Sequence, residues 1–279
     1  MQTTSHLPLP PKQCELDPIP TSILRQSISV LAPVISRIVN LSLSTGTVPL
    51  SFQQSVVSPL LKKPNLDKDN LSNYRPISNL SFLSKLTERV VKSRLSEHLN
   101  NNSLFNTFQS AYTTFRSTES VLLSLHDSII RAMCKQQVTC LCLLDLSVAF
   151  DTIDHTILLD RLSSWFGIHG TALSWFQSYL SNRSFITSCR NSNSSTCPLT
   201  CGVPQGSVLG PLLFSLYTTP LSSILASTSI SHHLYADDTQ LFISFLPSSY
   251  SSSINLLQSS ISQVSSWMSA NLLSLNPSE

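Results

Sequence analysis

Apolar side chains recur every three or four residues over much of the chain, and this spacing predicts helices. The two clearest cover residues 81–99 and 117–133, with charged residues between the apolar positions. Ser117 or Thr118, with Glu119 nearby, is suited to the start of the second helix. The same spacing predicts further helices at 155–166, 171–180, 206–225 and 252–273.

The N-terminal region combines a polar leader with a helical stretch. Residues 1–16 are rich in Pro, Ser and Thr, and we expect them to be disordered. DPIP at 17–20 is typical of a helix start, and apolar residues follow at helical spacing as far as Leu43. We expect Pro33 to break this stretch into two helices.

Shorter apolar runs predict strands. VTCLCLL at 138–144 predicts a buried strand that ends on Asp145, and 231–245 predicts a hairpin around Asp237 and Asp238. Other extended segments are predicted at 55–62, 73–80, 184–189 and 195–201. This order of helices and strands indicates an α+β fold with an antiparallel sheet.

Composition and charge narrow the function only slightly. The 279 residues are 41% hydrophobic, which is enough for a sizeable core, and the net charge of +2 is compatible with nucleic acid without indicating it. No basic stretch precedes an apolar core at the N-terminus, so no secretory signal is predicted. Pro211 and Pro220 interrupt the apolar run 207–224, which is therefore not expected to span a membrane. We expect an intracellular protein of the nucleus or cytoplasm that is not secreted.

The cysteines predict free thiols rather than a disulfide framework. There are seven, an odd number, and they form no pair of CxxC knuckles. A metal site built from Cys189, Cys197 and Cys201 with His232 or His233 is disfavoured, because zinc ligands are usually closely paired in sequence.

Three carboxylates, Asp145, Asp237 and Asp238, stand out by their positions at the ends of apolar strands. Any one of them could simply accept hydrogen bonds from its own backbone. If the strands are neighbours in one sheet, however, the carboxylates meet and repel one another unless a cation neutralises them. Mg²⁺, or Mn²⁺ in its place, binds one or two carboxylates together with substrate phosphates. Two such ions clamp the attacking and leaving oxygens of an in-line phosphoryl displacement, which is the chemistry of a polymerase.

Three segments carry a resemblance to a known family. YADD (235–238) resembles the third catalytic motif of reverse transcriptases, LLDLSVAFDTIDH (143–155) the first, and GVPQGSVLGPLLF (202–214) the second. Two further segments, NYRPISNLSFLSKLTERVV (73–91) and FQSAYTTFRSTES (108–120), resemble the finger blocks that precede these motifs in reverse transcriptases.

WMSANLLSLNPS (267–278) resembles the start of the fourth palm motif. The order and spacing of all six blocks are similar to those of LINE-type (non-LTR retrotransposon) enzymes of the jockey-like group, over roughly residues 15–279. The resemblance implies right-hand polymerase fingers and palm, with an antiparallel palm sheet and no thumb. It places an N-terminal extension and the fingers at 17–136, and the palm, with finger helices interleaved, at 137–279.

The resemblance also implies roles for the residues near the three carboxylates. Asp145 and Asp237 correspond to the main metal ligands, with Asp238 alongside, and the backbone carbonyl of Leu146 to a further ligand. Phe150 corresponds to the residue under the incoming sugar, where a bulky ring leaves no room for a 2′-hydroxyl.

A second set of implied roles concerns the nucleotide. Gln205 and Gly206 correspond to the pair that contacts the new base pair. Arg75, with Lys62 or Lys63, corresponds to the triphosphate clamp of the fingers, and a guanidinium suits phosphate oxygens. Asp151, Asp154 and His155, by contrast, are expected to have structural roles, such as capping the helix before Ile157.

The implied function is RNA-directed DNA polymerase, joining deoxynucleotides to a primer 3′-hydroxyl. Its partners would be an RNA template, a DNA primer and dNTPs, with no membrane and no evident protein partner. Two departures from the family pattern are Thr113 and Thr114 in place of a basic residue, and the absence of the fourth-motif lysine after Ser278. A catalytically inactive nucleic-acid-binding remnant shares every motif and stays open as an alternative. A viral RNA-copying polymerase is disfavoured by Phe150 and by the Ala of YADD.

Overall fold

The computed structural model describes residues 14–113, 115–189 and 192–276. Most of the predicted leader, Thr114 and the last three residues lie outside this part. The chain divides into two units that interleave in sequence: the first comprises residues up to 101 and 159–210, and the second comprises 102–158 and the residues from 211 onward.

In the described residues, the helices are α1 (Thr21–Gln26), α2 (Ile28–Thr45), α3 (Phe82–Asn101), α4 (Thr118–Cys134), α5 (His155–Ser164), α6 (Gly170–Leu180), α7 (Gly210–Ala226) and α8 (Tyr250–Ala270). The strands are β1 (Gln54–Leu61), β2 (Tyr74–Asn79), β3 (Val138–Leu144), β4 (Leu146–Ser147), β5 (Ser184–Cys189), β6 (Ser192–Asn193), β7 (Cys197–Pro198), β8 (Ser231–Tyr235), β9 (Asp238–Phe245) and β10 (Ser274–Leu275). The fold is therefore mixed α and β, as the pattern predicts.

The sheet of the first unit has strand order β2-β1-β5-β6, and β7 also pairs with β5. β1 and β2 form an antiparallel hairpin in which Leu60 faces Arg75, whereas β1 and β5 are parallel, so this sheet is mixed. The hairpin ladder continues past β1, because the backbone N–H of Lys62 donates to the carbonyl of Asn73 at 2.8 Å.

Part of the first unit's core lies between its N-terminal helices and α3. Leu24, Ile35 and Val39 are buried with Phe82 and Leu86 in one cluster. Within the described ranges, α2 is also the one helix long and apolar enough to cross a membrane, judged by length and composition alone. The core helix of a soluble protein meets the same criterion.

The prediction that Pro33 separates two helices is wrong. The interruption falls at Ser27, and Pro33 lies inside α2, six residues into the helix. A proline there removes one N–H donor in the second turn. Burial of Ile35 and Val39 in the cluster explains why the helix continues in spite of that loss.

The second unit contains an antiparallel sheet of strand order β3-β9-β8. Helices α4 and α8 pack against this sheet, and β10 pairs with β4. The fully buried side chains include Leu213, Phe214, Tyr217, Leu241 and Val264.

Two predictions about the second unit need correction. β3 is not fully buried, because Leu141 and Leu143 on one face are 39% and 63% exposed. The helix expected from Gly206 begins only at Gly210, because residues 205–209 form a loop. The seven cysteines, all within the described residues, are thiols and not disulfide partners, as expected.

Candidate active site

The carboxylates at 145 and 238 lie at the same end of neighbouring strands. β3 pairs with β9 so that Leu144 faces Thr239, and Asp145 therefore follows the last pair at the point where Asp238 begins β9. Tyr235 pairs with Asp238, which leaves Ala236 and Asp237 as the two residues of the hairpin turn. The expectation that these strands are neighbours, with their carboxylates at one end, is confirmed.

The three carboxylates do not form a single cluster. Asp145 and Asp237 are half-buried and Asp238 is exposed. Among the described residues, no group of three or more His, Cys, Asp or Glu side chains is placed to hold a metal ion. Asp237 lies in the hairpin turn, whereas Asp238 is the first residue of β9.

Asn276 holds Asp145 from a neighbouring strand, a contact that the sequence did not predict. Its side-chain amide donates to Oδ2 of Asp145 at 3.1 Å, and its backbone N–H donates to the carbonyl of Asp145 at 2.9 Å. The contact follows from the pairing of β10 with β4, in which Leu275 faces Leu146. Leu146 itself is buried. The sequence signal that could have indicated this contact is the short apolar run before the NPS triplet at 276–278, because it is suited to a strand.

Gln109 contacts the YADD turn from the segment before α4, and this residue was also missed. Its Oε1 accepts the backbone N–H of Ala236 at 3.0 Å and that of Ala111 at 2.9 Å, and its Nε2 donates to the carbonyl of Ala236 at 3.3 Å. Nearby, burial raises the pKa of Tyr112, and the negative charge of Asp237 raises it further. The turn is therefore bordered by side chains from residues 109–112.

Phe150 is half-buried, and its ring centroid lies 5.1 Å from that of Phe214 at a tilt of 34°. Its role in sugar selection stays a prediction. Asp154 accepts the backbone N–H of Ile157 at 2.9 Å, which confirms its expected role as a helix cap. Burial raises the pKa of Asp151.

The basic candidates lie in the first unit, on the β1–β2 hairpin. Lys62, Lys63 and Arg75 are all exposed. Arg75 faces Leu60 across the hairpin. Lys62 is two residues beyond Leu60, and its backbone N–H still pairs with Asn73, so strand alternation places it on the face of Arg75. Lys63 lies in the bend that follows β1.

The Gln205–Gly206 loop is also part of the first unit. The backbone N–H of Ser78 donates to the carbonyl of Gln205 at 2.7 Å. Gly206 has φ +119°, and a Cβ built on it would lie 2.7 Å from the carbonyl oxygen of Ser78. Glycine is therefore required for close packing within the protein itself. Oε1 of Gln205 is buried, with no hydrogen-bond partner in the described residues.

Glu88 on α3 accepts hydrogen bonds from the end of the same loop. This carboxylate is 1% exposed, and it accepts the backbone N–H groups of Val208 and of Leu209, the latter at 3.2 Å. The Tyr179 hydroxyl donates to its other oxygen at 3.3 Å. Burial raises the pKa of Glu88, although the nearby Arg183 and the two amides oppose the shift. The N–H groups that precede α7 are thus satisfied by a side chain from another helix.

Comparison with known proteins agrees with these motifs. The family described as reverse transcriptase (RNA-dependent DNA polymerase) matches residues 61–278. The chain is 30% identical over 230 residues to the probable RNA-directed DNA polymerase from transposon BS of Drosophila melanogaster, covering 78% of this chain and 24% of that protein. It is 28% identical over 207 residues to the RNA-directed DNA polymerase from mobile element jockey of the same species, covering 72% and 22%. The chain therefore spans about a quarter of the length of these relatives.

Solved structures share the fold at much lower identity. Apo telomerase from Candida tropicalis, truncated from the C-terminal domain, superposes with a TM-score of 0.60 at 14% identity, covering 84% of this chain and 50% of that one. Telomerase from Candida albicans in complex with a fragment of telomeric RNA gives a TM-score of 0.54 at 11% identity, covering 81% and 41%. Because the family match covers well over half of its residues, this chain belongs to the reverse transcriptase (RNA-dependent DNA polymerase) family, of the type found in non-LTR retrotransposons.

Proposed function

We propose that this chain carries the active site of an RNA-directed DNA polymerase, which joins a dNTP to a primer 3′-hydroxyl on an RNA template. The observation that carries the proposal is the position of Asp145 and the YADD turn at the same end of β3 and β9. The relatives' names add support, since they describe RNA-directed DNA polymerases. In this proposal the β1–β2 hairpin belongs to the fingers, and the β3-β9-β8 sheet is the palm.

Divalent cations fit the carboxylates at this sheet end. Mg²⁺ usually takes only one or two protein carboxylates and completes its shell with water and phosphate oxygens, so a cage of three is not required. Asp145 and Asp237 would be the main ligands, with Asp238 and the carbonyl of Leu146 alongside. Bound there, Mg²⁺ or Mn²⁺ would favour ionisation of the 3′-hydroxyl and neutralise the leaving pyrophosphate. Asn276 would orient Asp145 without neutralising its charge.

The remaining candidates would bind the nucleotide. Arg75 and Lys62, which project to one face of the hairpin, would contact the triphosphate. Phe150 would lie beside the sugar. Gln205 and Gly206 would contact the new base pair.

Primer extension on poly(rA)/oligo(dT) with Mg²⁺ or Mn²⁺ tests the proposal. We expect extension by the parent chain, and loss of nearly all of it in Asp145→Asn and in Asp237→Asn, which keep size while removing charge. Asp127→Asn is the matched control, because Asp127 lies exposed on α4 in a surface ion pair with Arg131. A parent chain that binds primer-template and never extends it would favour the inactive remnant instead.

A further inference from the structure

The YADD turn contains a strained residue next to a proposed metal ligand. Ala236 has φ +56°, and Asp237 is not among the residues with positive φ. This is the φ pattern of a type II′ hairpin turn, in which glycine usually occupies the first turn position. An alanine at positive φ is disfavoured by its Cβ, so the surrounding structure must hold it in this conformation.

Gln109 contacts both hydrogen-bonding groups of that strained residue. Its primary amide pairs with the N–H and the C=O of Ala236, so that one side chain fixes the orientation of the peptide groups on both sides of the Ala236 Cα. Gln109 is only 4% exposed. A buried amide that both donates and accepts restricts orientation far more than apolar packing does.

The backbone of Gln109 is itself held against the catalytic hairpin. The N–H of Leu234 donates to the carbonyl of Phe108 at 2.9 Å, and the N–H of Ser110 donates to the carbonyl of Leu234 at 3.0 Å. Residues 108–110 therefore form a parallel β-bridge with β8, in which Gln109 faces Leu234. Because these bonds fix its backbone, the Gln109 side chain can act as a rigid clamp.

We propose that Gln109 is a positioning residue: its side-chain amide holds Ala236 at positive φ and thereby sets the direction of the Asp237 carboxylate. The proposal rests on the proposed function of Asp237 as a metal ligand. Gln109 touches neither substrate nor metal in this role. The segment that contains it resembles a finger block, but its contact is with the palm hairpin.

Hydrogen exchange at the turn tests the clamp without requiring catalysis. Gln109→Met keeps side-chain length and removes both hydrogen bonds to Ala236 together with the one from Ala111, and Gln109→Glu keeps the acceptor but loses the donor. We expect amide exchange at residues 236–237 to rise roughly tenfold in Gln109→Met, as for the loss of a buried hydrogen bond, and less in Gln109→Glu. Gln258→Met, exposed on α8 in the same unit, is the matched control. Unchanged exchange in a folded Gln109→Met protein would overturn the proposal.

A double-mutant cycle with Ala236→Gly separates positioning from general packing. Glycine accepts positive φ without strain, so the turn depends less on the clamp once Gly stands at 236. With Mg²⁺, Gln109→Met should lower kcat roughly tenfold with the KM for dTTP within about twofold. The same substitution in the Ala236→Gly background should lower kcat about threefold or less.

Equal losses in the two backgrounds would overturn the proposal, because a merely structural glutamine would be equally important in both. If Asp237→Asn retains the parent's activity, the proposed role of Asp237 fails while the exchange result on the clamp still stands.

Discussion

Asn276 and Gln109 contact the strand ends of the proposed active site through amide groups, so they orient a carboxylate and a turn without changing local charge. An amide rather than a basic group at these two positions suits a site proposed to bind cations, since a lysine or arginine there would compete with the metal ions for the carboxylates. Phe150 is of a different kind, because its ring contacts Phe214 and its proposed role is steric. The charge of the aspartates is therefore accompanied by two other effects: the amides orient neighbouring groups, and the Phe150 ring occupies space.

Phe150→Val should relax sugar selection. Removing most of the ring makes room for a 2′-hydroxyl, so we expect ribonucleotide incorporation relative to deoxynucleotide to rise by roughly tenfold or more, equivalent to about 1.4 kcal/mol of transition-state free energy. Use of deoxynucleotides should change little. The measurement is kcat/KM for UTP and dTTP on the same primer-template. Equal discrimination in variant and parent would return Phe150 to a packing role beside Phe214.

His232 should make the fold sensitive to acid. Burial lowers its pKa from 6.5 to about 4, and His233 contributes. As the pH falls, His232 is protonated in the unfolded chain before it is protonated in the folded one. Its contribution to the free energy of unfolding is therefore complete above pH 6.5 and is lost as the pH falls toward 4. Between pH 7 and pH 5 the loss amounts to about 2 kcal/mol for such a shift.

Urea unfolding at the two pH values measures this loss. His232→Phe, which keeps a ring against Phe108, should flatten the pH dependence. His126→Gln, at an exposed position on α4, should retain the parent's dependence. Equal acid sensitivity in His232→Phe and the parent would contradict the assignment.

Local sequence predicts the elements well where one periodicity dominates. The bounds of β3 agree with the prediction, and α4 begins after Ser117, which caps it. Pro33 was misread because its effect depends on burial of Ile35 and Val39 against α3, which no local rule contains. Gln109 and Asn276 were missed for the same reason, since their partners at 236 and 145 lie more than a hundred residues away. The motif resemblance identified the aspartates, but it did not identify Gln109 and Asn276 as the residues that contact them and the turn.

The β1–β2 hairpin shows what strand geometry adds to a motif. The sequence leaves Lys62 and Lys63 equivalent, whereas the ladder bond from Lys62 to Asn73 carries the strand alternation through residue 62. Lys62 then lies on the face of Arg75. Lys62 is therefore the lysine expected to act with the guanidinium.

Substitution of the two lysines should consequently have unequal effects. Lys62→Ala removes a charge-assisted contact to the triphosphate, so we expect the KM for dTTP to rise roughly tenfold or more. Lys63→Ala removes the same charge from the neighbouring position and serves as the matched control, with a change of less than about threefold. Steady-state primer extension measures both. A larger effect in Lys63→Ala would show that the strand alternation does not persist beyond Leu61.

The net charge of +2 is the sum of a positive net charge in the first unit and a negative net charge in the second. The first unit has 14 lysines and arginines against 7 aspartates and glutamates, whereas the second has 3 against 8. Each sign suits its proposed role: basic residues attract phosphates, and the acidic unit carries the proposed cation ligands. The low net charge nevertheless limits how strongly this chain can bind a nucleic acid.

We therefore expect weak, salt-sensitive binding of primer-template that depends on the first unit. About four phosphate contacts would give a slope near −3.6 in log K against log salt, so affinity should fall roughly 150-fold between 50 and 200 mM KCl. Fluorescence anisotropy with a labelled RNA–DNA duplex measures it. Removing two charges from α3 (Lys85→Gln with Lys92→Gln) should weaken binding and flatten the slope, whereas removing two from α4 and its end (Arg131→Gln with Lys135→Gln) should change little. Tight binding that persists at 200 mM KCl, or equal effects of the two double variants, would contradict this division of charge.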